Sequence, residues 1–164
     1  MSEYHTKRAA EILQTIKYAT LATVTPDGKP WNSPVAHEYD DRLNIYWFSD
    51  KEGQHSKNVR ANENVFIVIY DSTVPEGKGE GVYMEATVTE LTDPDEILRV
   101  RKIKKGEDYE GKPDDFLDGA VRRVYMATPH RIYMNDAEIK DGVFIRDFKV
   151  AVTKQDVIDN LRHG

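Results

Sequence analysis

No cysteine occurs among the 164 residues. Disulfides, thiolate nucleophiles and cysteine-based zinc or iron–sulfur sites are thereby excluded, and the chain suits a reducing compartment. No apolar run approaches the roughly 18 residues of a membrane span. The opening segment MSEYHTKRAAEILQTIK mixes both charge signs and lacks the apolar stretch of a secretory signal. These absences point to a cytoplasmic protein with no membrane part. Basic residues are in the minority: 23 Lys and Arg against 29 Asp and Glu leave a formal net charge of −6. Such a chain repels nucleic-acid phosphates, so no nucleic-acid partner is expected. The five histidines, His5, His37, His55, His130 and His163, lack metal-ligand spacing, and no metal site is expected. The glycines of Gly77–Gly81 stand outside any strand–GxGxxG–helix context and read as a flexible loop.

What is present is patterned. The length suits one domain over 1–164, and 39% hydrophobic residues suffice for a core. Ala9, Ile12, Leu13 and Ile16 follow the i, i+3, i+4, i+7 spacing of an amphipathic helix. Strands are then expected at 18–25, 31–39 and 43–49, joined by the turn Pro26-Asp27-Gly28-Lys29 and by Asp40-Asp41-Arg42. Connections this short make the meander antiparallel. VFIVIY (65–70) is apolar without alternation, the pattern of a strand covered on both faces, whereas 82–89 alternates. Asp93-Pro94 starts a helix that ends near Gly106. Strands resume at 121–127, 131–135 and 143–152, and Thr153 with Asp156 caps a last helix over 154–162. So many strands with short connections require closure, and a mainly β barrel with peripheral helices follows.

One segment concentrates chemistry: Trp47-Phe48-Ser49-Asp50-Lys51-Glu52-Gly53-Gln54-His55-Ser56-Lys57-Asn58-Val59-Arg60. A strand ends in a hydroxyl residue, a glycine turns the chain, and a short helix begins. The start of a helix presents unpaired N–H groups and a partial positive charge, which suits a phosphate. Ser49 and Ser56 supply hydroxyls, Lys57 supplies charge, and Arg60 lies one turn further on. By spacing alone such a helix is more often a solvated face than a phosphate site.

The order of A-T-L-A-T (19–23), P-D-G-K-P (26–30), N-S-P-V (32–35) and Q-H-S-K-N (54–58) resembles the pyridoxamine 5′-phosphate oxidase-like family of FMN-binding split barrels. The resemblance is strongest over 18–91. It implies a six-stranded antiparallel split β-barrel, a homodimer, and FMN at the dimer interface. It places Asn32, Ser33, Pro34 and Val35 along the flavin ring and Trp47, Phe48 and Ser49 near the ribityl chain and phosphate. Gln54 is placed at the ring or phosphate end, and His55, Ser56 and Lys57 on the phosphate. Many relatives carry Arg in the place of Ser56. The partner would contribute from 82–89 and from Arg131 and Tyr133. The implied function is a flavin-dependent oxidoreductase using NAD(P)H or a small reduced substrate, with no side chain assigned as acid or base. A non-catalytic flavin storage or sensor protein and a deazaflavin- or haem-binding relative are the alternatives. The Arg-x-His element of the true oxidases has no counterpart, since Arg162 and His163 are adjacent at the end. The resemblance therefore does not extend to oxidation of pyridoxamine 5′-phosphate.

Overall fold

Alternation along the first strand sets the barrel wall. In β1 (Tyr18–Val24) the side chains of Ala19, Leu21 and Thr23 point inward and are buried, while Tyr18, Ala22 and Val24 point out. A computed structural model describes residues 3–163. Before β1 lies α1 (Glu3–Thr15), which packs Ala9, Ile12 and Leu13 on the core. After β1, Gly28 takes φ +83° in the turn, and β2 (Pro30–Ala36) pairs back along the whole of β1. The expected strand 31–39 is two. At His37 the backbone N–H donates to the Lys17 carbonyl and ring Nε2 lies 2.8 Å from the Ile16 carbonyl. The chain resumes as the two-residue β3 (Glu38–Tyr39). Then follow β4 (Ile45–Asp50), α2 (Gln54–Ala61), β5 (Asn64–Tyr70) and β6 (Gly81–Glu90). The last third supplies α3 (Pro94–Lys105), a 3-10 turn (Pro113–Phe116), β7 (Arg122–Lys140), β8 (Val143–Val152) and α4 (Lys154–His163).

The sheet has eight strands, in the order β2-β1-β5-β6-β7-β4-β3 with β8 on β7, where the resemblance implied six. The break at His37 adds β3. The two strands expected at 121–127 and 131–135 are one strand of 19 residues. Its pairing with β6 skips His130, so Pro129, which has no N–H to donate, sits at a bulge. β2 touches β4 without sharing a ladder, which leaves a seam in the curled sheet. Beyond Asn135, β7 and β8 form an exposed ribbon that turns at Asp141 (φ 52°) and Gly142 (φ 77°).

Caps behave locally as the sequence dictates. Asp93 accepts from the N–H groups of Asp95 and Glu96 with Pro94 at the first helical position, and Gly106 ends α3 at φ 98°. The excursion 93–120 covers the outer side of β4 and β7. Ile97, Val100, Leu91 and Phe116 enclose Tyr46 and Val124 in a second core. β4 is thus buried on both sides: Ile45 and Trp47 face the barrel interior, Tyr46 the second core.

Asp40 anchors the β3–β4 turn. It accepts from the N–H groups of Arg42 and Asn44, from Asn44 Nδ2 and from the Tyr46 hydroxyl, and Arg99 lies 3.6 Å away. The turn holds buried Leu43 at φ 58°, a conformation costly for a branched side chain. Burial pushes the Asp40 carboxyl up, but these donors outweigh it and hold it below the usual carboxylate range. A depressed carboxylate contributes stability above its unfolded pKa and loses it as the pH falls through the folded one. Asp40→Asn is expected to cost about 2 kcal/mol in urea unfolding at pH 7. The difference from wild type should narrow below about pH 4. A gap that stays constant with pH would refute the charge-based account.

Candidate anion and flavin site

Asp50 ends β4, and Gly53 precedes α2 as its N-cap without a side chain to offer. The loop between them is fastened from behind. Gly53 N–H donates to the Asp50 carbonyl, Lys51 N–H to the Val121 carbonyl, and Arg60 Nη2 to the Lys51 carbonyl. A Cβ at Gly53 would stand 3.2 Å from the Asp50 oxygen, so glycine is what lets the loop close. No side chain caps α2 among the described residues, which leaves its first N–H groups free for a ligand anion.

Two of the expected side chains meet here, and a third flanks them on the same helix turn. Ser49 Oγ and His55 Nε2 are 2.8 Å apart. Burial pushes the His55 imidazole below its usual range, with the Asp50 charge opposing it. Lys57 is half exposed and lies 3.4 Å from Glu52, a loose surface pair that an anion can replace. Gln54 turns along its helix and donates to Asn58 Oδ1 at 2.8 Å.

Other expected side chains are placed elsewhere. The Ser56 hydroxyl is fully buried and donates to the Asp50 carbonyl at 2.7 Å, so it is not offered to a ligand. Trp47 is 1% exposed and stacks on Tyr125 at 5.6 Å inside the barrel. Phe48 lies on the opposite side of β4, tilted against Phe116 with the Arg101 guanidinium 4.9 Å above it. Trp47 and Phe48 sit where they do because β4 is covered on both sides.

The N-S-P-V segment occupies β2, the strand that ends the hydrogen-bonded order. One edge pairs with β1 and the other has no strand partner, so its backbone groups are open on the side that meets β4 and α2. Asn32 and Pro34 are exposed, Ser33 is half-buried, and Val35 is buried and presents only backbone. Trp31 is 46% exposed with Nε1 donating to Ser33 Oγ at 3.1 Å.

Residues outside the expected set support the site. Glu90 pairs with Arg123 at 3.2 Å and Arg60 at 3.6 Å, and Arg60 approaches the Tyr125 hydroxyl. Arg123 also donates to the carbonyls of Ala120, Arg122 and Asp118. Thr23 and Asn58 are joined inside the wall by a hydrogen bond of 2.9 Å. The signal for that pair was a polar residue at each of two inward positions, Thr23 after Ala19 and Leu21, and Asn58 before Val59. A cleft of about 630 Å³ lies elsewhere, between α3 and Tyr39–Asp41. The start of α2 does not line that cleft. Among the described residues no three metal-ligating side chains come together, and the side chain of His163 lies outside them. No helix among them is long and apolar enough to cross a membrane.

Comparison with known proteins agrees with the fold. Among curated proteins none matches. Among solved structures, a heme-binding protein from Mycobacterium smegmatis superposes with a TM-score of 0.66 and 17% identity over 97% of this chain. This chain spans 61% of that protein's length. The heme storage protein HutZ from Vibrio cholerae matches at 0.61 with 19% identity, over 74% of this chain and 88% of its own. An F420 reductase matches at 0.55 with 21% identity, over 76% and 94%. At such identities the likeness concerns the fold. The family profile described as pyridoxamine 5′-phosphate oxidase matches residues 5–135. The chain belongs to the pyridoxamine 5′-phosphate oxidase family.

Proposed function

We propose that the chain is a homodimeric FMN-binding protein acting as a flavin-dependent oxidoreductase, with NAD(P)H or a small reduced substrate as donor. The observation that carries this reading is the uncapped start of α2, with Ser49, His55 and Lys57 around it and the open backbone edge of β2 close by. The donor set fits a phosphate-bearing flavin. The N–H groups of the first turn and Lys57 would hold the phosphate, with Ser49 and His55 adding hydrogen bonds. The backbone of Asn32, Ser33, Pro34 and Val35 would take the polar edge of the ring. Bound flavin supplies the hydride or electron transfer, and the protein supplies placement and electrostatics. The open β2 edge would orient a planar ligand through directional hydrogen bonds.

The dimer part of the reading rests on β5. Val65, Ile67 and Ile69 are buried in the single chain, whereas Phe66 and Tyr70 on its other side are exposed and Val68 partly so. Tyr18 and Val24 on β1 extend this apolar outer face. A second copy would cover it and close the open anion site.

The test is the visible absorbance spectrum after FMN is added and excess removed, together with sedimentation of the same sample. One oxidised flavin per chain in a dimer is expected, followed by bleaching with NAD(P)H. Bound flavin without turnover would favour storage. A haem or deazaflavin spectrum would replace the chemistry, and a flavin-loaded monomer would refute the shared pocket.

A further inference from the structure

Inside the wall, two polar side chains meet where apolar ones would pack. Thr23 takes the inward position of β1 after Ala19 and Leu21, and Asn58 the inward face of α2 beside Val59; they are 2% and 0% exposed. Asn58 Nδ2 donates to Thr23 Oγ1 at 2.9 Å. The pair is the middle of a longer chain. Gln54, the first residue of α2, donates to Asn58 Oδ1 at 2.8 Å. The Thr23 hydroxyl donates to the carbonyl of Trp31, its cross-strand partner on β2, at 3.5 Å. The Trp31 indole donates to Ser33 Oγ at 3.1 Å. A polar relay thus runs from the first turn of α2 to the N-S-P-V strand.

Apolar residues at 23 and 58 would fill this space without directional demands. A buried hydrogen-bonded pair admits only a narrow range of spacing and tilt, because any other arrangement leaves a donor unpaired in a dry interior. The two ends of the relay are the phosphate end and the ring end of the proposed flavin site. Resting on that reading, we infer that Thr23 and Asn58 are positioning residues that set the separation of α2 from β2, so that one ligand engages both. They touch no ligand themselves. Their effect therefore falls on a molecule that spans the two ends and spares one that reaches a single end.

The test uses the full chain as wild type, Thr23→Val and Thr23→Ser. Binding is measured for FMN and for lumichrome, the flavin ring without ribityl or phosphate. Amide hydrogen exchange of α2 is followed in ligand-free protein. Thr23→Val should weaken FMN by roughly tenfold or more, the worth of an ordinary hydrogen bond, and leave lumichrome within about twofold. Exchange across α2 should quicken while that of β7 does not. Thr23→Ser keeps the hydroxyl and should restore FMN binding. Equal losses for FMN and lumichrome, or a loss that Thr23→Ser fails to rescue, would overturn the inference and leave the flavin reading intact. Wild-type protein that binds FMN no better than lumichrome would instead overturn the flavin reading and the ligand role of the relay with it, even if α2 exchange still responds.

Discussion

Lys57→Ala is expected to weaken FMN binding roughly 10- to 100-fold, the worth of a charge-assisted contact to phosphate, while riboflavin binding changes little. The side chain is half exposed and its partner in the single chain is Glu52 at 3.4 Å, so its removal leaves no unpaired charge in the interior and the fold should persist. Glu52 supplies the control. Its carboxylate competes with a phosphate for the same ammonium, so Glu52→Gln should tighten FMN modestly. Isothermal titration with both ligands separates the outcomes. Equal weakening of FMN and riboflavin would remove the phosphate from this end of the site.

Trp47→Ala is expected to cost about 3–5 kcal/mol of stability, the range for emptying a large aromatic from a core. For a domain of this size that lowers the melting temperature by roughly 10 °C. Trp47 is 1% exposed, stacked on Tyr125 with ring planes 16° apart. Its indole N–H is buried with no acceptor among the described residues, so Trp47→Phe removes an unpaired donor along with some volume. That variant should lose much less, about 1 kcal/mol. FMN affinity should be unchanged in Trp47→Phe, because the ring faces the barrel interior. A selective loss of FMN binding in Trp47→Phe would show that the indole N–H serves the ligand after all.

Features whose causes are local were legible in the sequence. Asp93, Pro94 and Gly106 bound α3 through contacts within one turn, and Thr153 accepts from the Asp156 N–H as its spacing implied. Features decided by distant partners were not. The break at His37 comes from bonds to residues 16 and 17, and the continuity of β7 across Pro129 comes from a bulge opposite β6. The same distinction divides the site. The uncapped start of α2 could be read from Gly53 and the polar run after it. That the Ser56 hydroxyl turns back to Asp50 and that Phe48 packs under α3 could not. Alternation in β4 marked two faces, but only the folded excursion shows that both are covered.

β7 has one further consequence, for the order in which the chain comes together. This strand supplies the ladder for β4, β6 and β8. While the chain emerges from a ribosome, β4 and β6 are complete long before residues 122–140 arrive. Until then both carry bare edges and apolar faces, the hazard of topologies dominated by distant pairings. Nascent chains stalled before residue 122 should lean on chaperones, and barrel closure should coincide with release of β7 rather than proceed step by step.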